Sequence, residues 1–591
     1  MRRDEPRLLI EATCLGVVGA LAARLFTWML RICQRLLLER MAGYRPPGIV
    51  SEGGSLIQVI GPHGLWLVPL VTTLGGLISG WLVYTFAPEA EGHGTDAVVR
   101  AFHGEGSLRG RVAPVKLLAS AITIGSGGSA GREGPIALIS AAVGSIYAKL
   151  ARRGEEERRI LLLAGMAAGL AAIFRTPMGT GVFAVEVLYD GMDFETGALL
   201  YTMLASGVAY AVNGLFVGWQ PLFHVAVASA PPLRDYGWFM ALGLLAGLAA
   251  TAVPEVFYRA RDAFRALPIP RWIKPGLGGL GVGVIALWLP QVLGGGYGWM
   301  QEAMNGTLAV KLMLVLIAAK LVAFALTVSS GGSGGVFAPS LFIGGMLGGS
   351  CAAVFHQPTA VFVVVGMAAV FGAAARVPIA TMLMVTEMAG GYQLLVPAGC
   401  AVMLSYLLQV NLSQRLRYGS LYEAQVPLTE DSPAHYLDHV RVALSLLGRR
   451  KLPEAGQLAQ AGQVDLLRLL RSRVRLNLPG GRQLLLRQLA PGSRFVGGPI
   501  RELYRAGGTS DLEVVAVRRR EHVLLPHEDT VLEPNDRLIL IASEAALRPL
   551  EAALTPLDEV QAAETTGPAQ ETSQKTTTDM HGSSTHGSAR N

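Results

Sequence analysis

Charged side chains are scarce in this sequence of 591 residues. Asp, Glu, Lys and Arg make up 16% of it, whereas an ordinary soluble domain contains about 25%. Apolar residues reach 51%, which excludes a soluble globular enzyme over most of the length and also excludes a disordered chain. The 72 glycines follow no three-residue period, so a collagen-like chain is excluded as well. The remaining class is an all-α polytopic membrane protein whose helices are often interrupted.

Cysteine is also rare, and its positions argue against a metal site. Cys14, Cys33, Cys351 and Cys400 lie in apolar stretches and lack the spacing of metal ligands. We expect all four to be small buried hydrophobic residues, and we expect neither a metal nor another cofactor. No GxxxxGK[ST] loop is present, which argues against an ATP-driven pump.

The net charge of +7 comes from basic residues at both ends of the chain. Arg2, Arg3 and Arg7 precede the first apolar stretch, and many others lie in the C-terminal third. This distribution is typical of cytoplasmic flanks that face anionic lipid. We therefore expect these basic residues to face the lipid bilayer, and we expect no nucleic acid partner.

Apolar stretches dominate residues 1–425, which we predict to be a transmembrane domain. Stretches 63–86, 196–217, 237–253 and 308–328 are long enough to cross a hydrocarbon core of about 30 Å. Other stretches are broken by glycine and proline. Broken helices are tolerated at membrane depth only where their backbone is buried in protein or lines a cavity, so the breaks indicate the functional site.

The composition changes after residue 425. Residues 426–473 are predicted to form a charged, helical connector, and residues 474–555 a small soluble α/β domain. Alternating apolar residues at 512–517 and 538–541 indicate strands in that domain. Residues 556–591 are rich in Thr, Ser, Gln and Gly, and we expect this tail to be disordered.

The membrane region contains an internal repeat. Residues 125–135 (GSGGSAGREGP) match residues 329–339 (SSGGSGGVFAP) at six of eleven positions, with an offset of 204. Farther along, Arg175, Pro177 and Glu186 recur 201 residues later as Arg376, Pro378 and Glu387. Two matches in the same order with nearly the same offset indicate a duplicated unit. Transporters with such repeats bind their substrate where the two copies meet.

The repeated glycine loops predict the sign of the substrate. Each loop runs into a proline that is expected to open an apolar helix, Pro135 in one copy and Pro339 in the other. A helix N-terminus presents free N–H groups and partial positive charge. Two such ends that converge would bind a small anion loosely enough to release it again.

On these residues the sequence resembles the CLC family of chloride channels and chloride/proton antiporters, of the bacterial type. Gly131-Arg132-Glu133-Gly134-Pro135 matches the family motif GREGP, and Gly335-Val336-Phe337-Ala338-Pro339 matches GxFxP. Tyr422 matches a tyrosine near the end of the family's membrane domain. The resemblance implies an inverted-repeat fold and a homodimer in the bacterial inner membrane, with the C-terminal domain in the cytoplasm. It also implies one pathway per subunit for chloride or a similar anion.

The resemblance also assigns roles to individual residues. Glu133 would be the gating glutamate, because a carboxylate beside a helix N-terminus can itself occupy the anion site. Without the family pattern, Glu133 would be interpreted as a simple helix cap. The expected anion-binding positions are Gly131, Arg132, Gly134, Val336, Phe337, Ala338 and Tyr422, together with Gly92, His93 and Gly94.

Two positions depart from the family pattern. Where the family motif GSGIP has its serine, this chain has His93 between Gly92 and Gly94. The histidine would either donate to an anion and make transport depend on pH, or turn away while backbone amides bind. At the inner proton-relay position the match places Val187, which carries no proton. Glu186 is adjacent, but one residue along a helix rotates a side chain by about 100°.

The missing relay favours channel-like or weakly proton-coupled anion transport gated by Glu133; the alternative is a chloride/proton antiporter. A third class, a sensor whose soluble domain is the output, predicts no flux. The soluble domain resembles the regulatory TrkA-C type in residues 495–500 and 532–538. That resemblance implies a small regulatory ligand, and we expect no enzyme activity in the chain.

Overall fold

A computed structural model describes most of the membrane region and much of the C-terminal domain. The described residues are 5–104, 106–225, 231–429, 432, 434, 476–477, 482–490, 492–507, 512–519, 522–524, 526–550 and 553–556. The chain divides into two compact units, residues 1–434 and 435–591. Most of the predicted connector (426–473), and the predicted disordered tail (556–591) beyond its first residue, lie outside the described residues, so both stay predictions.

The first unit is helical. Its described residues form α1 (Glu5–Gln34), α2 (Val68–Phe86), α3 (Thr95–His103), α4 (Val112–Gly125), α5 (Glu133–Leu150), α6 (Glu155–Phe174), α7 (Pro177–Glu186), α8 (Thr196–Val217), α9 (Tyr236–Ala266), α10 (Lys274–Ala286), α11 (Tyr297–Met304), α12 (Val310–Ser329), α13 (Phe337–Phe355), α14 (Thr359–Ala374), α15 (Pro378–Met388) and α16 (Leu395–Ser413). A short antiparallel pair, β1 (Tyr44–Arg45) and β2 (Val59–Ile60), lies between α1 and α2.

The sixteen helices fall into two sets of eight that pack alike. In the first set α5 packs on α6, α6 on α8 and α1 on α8; in the second α13 packs on α14, α14 on α16 and α9 on α16. The repeat found in the sequence therefore extends over the whole first unit. The fold is all-α with broken helices in an inverted repeat.

Seven helical segments within the described residues are long and apolar enough to cross a membrane. They are Pro6–Met41, Val68–Phe86, Thr196–Val217, Leu233–Ala266, Val310–Ser329, Phe337–Phe355 and Tyr392–Ser413. All four stretches predicted from the sequence are among them. Large apolar side chains such as Trp81, Leu215 and Leu248 are exposed on these helices, as expected of surfaces that face lipid.

Several details differ from the prediction. Helices α5 and α13 begin at Glu133 and Phe337, two residues before the prolines that were expected to open them. A proline is tolerated throughout the first helical turn, because the N–H groups there have no acceptor within the helix and the missing N–H of proline costs nothing. Cys351 is buried, but Cys14 and Cys400 are exposed on α1 and α16. The expectation of four buried cysteines was therefore wrong, because apolar stretches in a membrane also have an outward face.

The second unit contains one antiparallel sheet. Its strands are β3 (Leu476–Asn477), β4 (Arg482–Leu489), β5 (Leu512–Arg519), β6 (His522–Leu524), β7 (Arg537–Ser543) and β8 (Leu554–Pro556). They are ordered β3-β4-β7-β5-β6, and β8 also pairs with β4. Helices α17 (Ile500–Gly507) and α18 (Glu544–Leu547) accompany the sheet. Both predicted strands lie within β5 and β7, and the domain is α/β as predicted.

Candidate anion pathway

The two glycine-rich loops meet and pair through their backbones. The Gly131 N–H donates to the Gly335 carbonyl at 2.8 Å, and the Gly335 N–H donates to the Gly131 carbonyl at 2.7 Å. Gly127 and Gly331, with φ of 104° and 100°, make the same turn in each loop, in a region that favours glycine. Because equivalent residues exchange equivalent bonds, the loops are related by a local two-fold axis. The N-termini of α5 and α13 therefore begin side by side.

Glu133 places its carboxylate at this junction. The side chain is buried, and its Oε2 lies so close to Gly131 that a Cβ there would come within 1.8 Å of it. A Cβ on Gly335 would lie 3.2 Å from the same oxygen. The other oxygen, Oε1, accepts a hydrogen bond from the Tyr297 hydroxyl. An anionic group thus occupies the point where the two helix N-termini converge.

Arg132 is anchored beside Glu133 rather than within the junction. Its guanidinium donates two hydrogen bonds to Glu52, at 2.9 and 2.5 Å, and lies 5.0 Å from the centre of the Tyr297 ring. Burial raises the pKa of the Glu52 carboxyl, but the charge and hydrogen bonds of Arg132, together with the charges of Arg175 and Arg31, outweigh burial and hold this pKa below its ordinary value. Arg132 thus forms a buried charged pair with Glu52, and its predicted anion contact stays a prediction.

Two cavities border the junction and share none of their lining residues. The smaller, which we call the inner cavity, is lined by Thr95, Glu133, Gly134, Ala137, Leu170, Phe174, Phe183, Val336, Phe337, Met384 and Tyr422. The larger, which we call the outer cavity, is lined by Arg31, Arg132 and Tyr297 among others. Glu133 and four of the predicted anion-binding residues thus share the inner cavity, and Ala338 lies against Gly131 next to it.

His93 lies in a loop that supports the junction, but its ring does not line the inner cavity. Its Nε2 lies 3.2 Å from an Asp96 carboxylate oxygen, and its ring centre lies 5.5 Å from that of Tyr422. The flanking Gly92 and Gly94 have φ of 68° and 89°. A Cβ on Gly94 would lie 2.8 Å from the Gly134 carbonyl, so glycine permits the loop to approach α5. The ring thus contacts Asp96 and Tyr422 in this structure, and both alternatives for its role toward an anion stay predictions.

Two buried lysines that we did not single out in the sequence hold the loops in place. The Lys116 ammonium donates to the Ala90 and Gly92 carbonyls, at 3.0 and 2.6 Å. The Lys320 ammonium donates to the Val292 and Gly294 carbonyls, at 2.8 and 2.6 Å. The two lysines are 204 residues apart, the offset of the glycine loops. A search for charged residues at that offset would have found them.

Glu186 serves as a helix cap in this structure. Its carboxylate accepts the N–H groups of Ile379 and Ala380, at 3.0 and 2.6 Å, at the start of α15. Glu387 does the same for Met178 and Gly179, at 3.2 and 2.8 Å, at the start of α7. Val187, at the predicted relay position, is fully buried. The two glutamates of the repeat are thus a reciprocal pair of caps.

Comparisons with known proteins agree with this architecture. Residues 75–409 match the family model described as voltage gated chloride channel, and residues 484–555 match the TrkA-C domain. The chain is 32% identical over 361 residues to proteins named H(+)/Cl(-) exchange transporter ClcA from Salmonella agona and Salmonella dublin, covering 58% of this chain and 76% of each relative.

Solved structures share the fold. A slow cyanobacterial Cl-/H+ antiporter superposes with a TM-score of 0.61 at 23% identity, covering 69% of this chain and 96% of that one. A CLC-type fluoride/proton antiporter gives a TM-score of 0.61 at 22% identity, covering 72% and 99%. The family match spans more than half of the chain, and with the paired helix N-termini it shows that this integral membrane protein belongs to the CLC family of anion transporters.

Proposed function

We propose that this protein exchanges chloride for protons across the membrane, with Glu133 as the group that both anion and proton must displace or neutralise. The observation that carries the proposal is the position of the Glu133 carboxylate at the junction of α5 and α13. A small anion and this carboxylate would compete for the same partial positive charge. Protonation would weaken the carboxylate as a competitor, so proton binding and anion entry become linked.

The remaining predicted residues form the path around this gate. Gly134, Val336 and Phe337 would present backbone N–H groups to an anion in the inner cavity, and Tyr422 its hydroxyl. Gly131 and Gly335 would leave room for either the carboxylate or the anion. Gly92, His93 and Gly94 would act through the backbone, because the His93 ring is engaged with Asp96.

The names of the relatives favour exchange over passive conduction. The Salmonella relatives are named H(+)/Cl(-) exchange transporters, and they match this chain across most of the membrane unit. This supports the alternative that the sequence analysis ranked second. Proton-coupled transport places the relay task elsewhere than on Val187 or Glu186, since one carries no proton and the other caps α15.

Channel-like conduction is the second candidate, and one observation favours it. The side chain at the relay position, Val187, is apolar and fully buried, so a proton reaching Glu133 from the inner side finds no carboxylate there. Under this candidate, protons would regulate Glu133 without being carried across.

Reconstitution separates the two candidates. Liposomes containing the purified full chain would be given an outward chloride gradient with equal pH on both sides, and proton movement would be followed with a pH dye. Exchange predicts uphill proton uptake that Glu133→Gln abolishes while chloride flux persists. Chloride flux without proton movement in the unmodified protein would favour the channel. Chloride, nitrate and fluoride fluxes, compared at two pH values, would identify the preferred anion.

We further propose a homodimer in a bacterial inner membrane, with the C-terminal domain in the cytoplasm as the binding site of a small regulatory ligand. The basic N-terminus supports this orientation. Mass measurement of the detergent-solubilised protein tests the dimer; a monomer would contradict it. Protease accessibility of the C-terminal domain in inverted membrane vesicles tests the orientation.

A further inference from the structure

We propose that Tyr297 is a positioning residue for the gate: its hydroxyl holds the Glu133 carboxylate in the junction and thereby slows its exchange with an anion. The proposal rests on the proposed function of Glu133, and it adds a residue that the family motifs in the sequence did not indicate. It starts from the hydrogen bond that the Tyr297 hydroxyl donates to Glu133 Oε1.

The chain around Tyr297 fixes the ring in place. The residue begins α11 directly after Gly296, whose φ is 78°. A Cβ on Gly296 would lie 2.5 Å from the Phe342 ring, and a Cβ on Gly298 would lie 2.2 Å from the Pro47 carbonyl. Both flanking positions therefore need glycine for this close packing, and the loop has little freedom to move the ring away.

Neighbouring side chains hold the ring against the gate. The Arg132 guanidinium lies 5.0 Å from the ring centre, and the Phe223 ring centre lies 6.1 Å away. Tyr297 is half-buried and lines the outer cavity, so its ring stands between that cavity and the Glu133 carboxylate. An anion entering from the outer cavity would meet the Tyr297 hydroxyl at the same place as the carboxylate it must displace.

The two loops related by the local two-fold axis differ in the hydrogen bond to Glu133, which comes from the loop of Tyr297. Lys116 donates to the Gly92 carbonyl as Lys320 does to that of Gly294, and Gly92, Gly94, Gly294 and Gly296 all have positive φ. By this match Gly294 and Gly296 of the second loop correspond to Gly92 and Gly94 of the first, and Tyr297 to Thr95. Thr95 lines the inner cavity together with Tyr422. The fold therefore supplies one position on each side of the gate, and only the outer one carries a side chain whose hydroxyl bonds to Glu133.

The other charged groups near the carboxylate come from several elements. Arg132 immediately precedes it, as the N-cap residue of α5, and forms an ion pair with Glu52. Lys320 on α12 and Tyr422 beyond α16 also interact electrostatically with Glu133. Neither has a hydrogen bond to its carboxylate among the described residues, which leaves Tyr297 as the side chain in direct contact.

The test is Tyr297→Phe in the reconstituted full-length protein. The substitution keeps the ring that packs on Arg132 and Phe223 and removes only the hydroxyl. A hydrogen bond to a charged group is worth roughly a tenfold change in occupancy, so chloride turnover at pH 7 should rise by up to about tenfold. For the same reason the pH at which transport reaches half of its maximum should move upward by about one unit, because the freed carboxylate takes up a proton more readily.

Tyr44→Phe is the matched control. Tyr44 is a buried tyrosine of β1, next to Arg45 of the outer cavity, and its hydroxyl contacts the Pro290 carbonyl at 3.5 Å rather than the gate. The pH profile of this variant should match that of the unmodified protein. An equal shift in both variants would show a general structural effect and overturn the proposal.

Glu133→Gln distinguishes failure of the positioning role of Tyr297 from failure of the proposed function. In that background Tyr297→Phe should leave the pH profile unchanged, because the group that it positions no longer ionises. If Glu133→Gln abolishes proton coupling but Tyr297→Phe alone leaves turnover and pH profile unchanged, only the positioning role of Tyr297 is wrong. If Glu133→Gln leaves proton coupling intact, the proposed function fails first.

Discussion

The two loops that approach Glu133 from opposite halves, residues 90–96 and 292–298, have the same backbone conformation but different side chains. In each loop two glycines have positive φ. Two carbonyls of each loop accept hydrogen bonds from a buried lysine, Lys116 on α4 or Lys320 on α12. The first loop carries His93 and Thr95, where the second carries Gly295 and Tyr297.

This contrast separates what duplication provides from what each half adds. The shared backbone conformation brings two helix N-termini to one point, where the Glu133 carboxyl lies. The side chains that differ make the two sides unequal: Thr95 faces a cavity, whereas Tyr297 contacts the gate. The gating that we propose for Glu133 uses that inequality, so variants that act on only one half are the sharpest tests.

We expect the largest effect, a loss of stability, when Glu186 or Glu387 no longer caps the helix of the other. Glu186→Ala and Glu387→Ala should each destabilise the protein by about 2–4 kcal/mol, because two backbone N–H groups lose their acceptor in a buried place. The midpoint of thermal unfolding in detergent should fall to a similar extent for both.

Gln at either position is the matched control, since its amide oxygen still accepts one hydrogen bond. A large loss for Glu186→Ala with none for Glu387→Ala would break the symmetry argued here. Glu186→Gln should also leave proton coupling intact, and its loss would return Glu186 to the role of a proton relay.

We expect the next largest effect when the buried lysines, Lys116 and Lys320, are replaced. Lys116→Met and Lys320→Met each remove the amino group that donates to two loop carbonyls, so we expect chloride binding, measured by calorimetry, to weaken roughly tenfold in each variant. Lys149→Met is a control on the exposed end of α5 and should bind chloride normally. Unchanged binding in both buried variants would contradict an electrostatic role for the lysines.

Replacing the paired glycines, Gly131 and Gly335, by alanine should have different effects. A Cβ on Gly131 meets the end of the Glu133 side chain, whereas a Cβ on Gly335 meets the Gly134 nitrogen at 2.8 Å. Gly131→Ala should displace the carboxylate and lower proton coupling several-fold with little loss of stability. Gly335→Ala should cost about 1–3 kcal/mol in unfolding free energy, because backbone must move.

Gly207→Ala, at a helical position with nothing within 4 Å, serves as the control for both glycine variants. Equal stability losses in Gly131→Ala and Gly335→Ala would show that Glu133 does not yield to the added methyl group, against the mobile gate that transport requires.

His93→Ser should have the smallest effect. The ring pairs with Asp96 outside the inner cavity, so we expect the chloride-to-nitrate flux ratio to change by less than about twofold, with a stability loss of about 1 kcal/mol. A large change in selectivity, or loss of a pH response near neutrality, would show that the ring turns toward the anion during transport.

Most of the architecture follows from the sequence because membrane burial and duplication leave strong patterns. Long apolar runs gave the spanning helices, and the offset of 204 gave the convergence at Glu133 and Phe337. Interrupted runs could be located but not bounded: a proline fits anywhere in the first helical turn, so the starts of α5 and α13 were placed two residues late.

The contacts between distant segments were beyond the sequence. Tyr297 stands 164 residues from Glu133, and no local pattern distinguishes it from an aromatic residue that faces lipid. The direction of the His93 ring depends on Asp96 and on Tyr422, which packs beside it only in the folded chain. The preference for passive conduction rested on Val187 alone, and a single position does not define a proton path.

Halide binding at the junction tests the central claim most directly. Crystals of the unmodified protein and of Glu133→Gln, both grown in bromide, would be compared by anomalous diffraction. The account predicts a bromide between the N-termini of α5 and α13 that appears or strengthens when the charged carboxylate is removed. A junction that stays empty in Glu133→Gln, while bromide binds elsewhere in the protein, would contradict it.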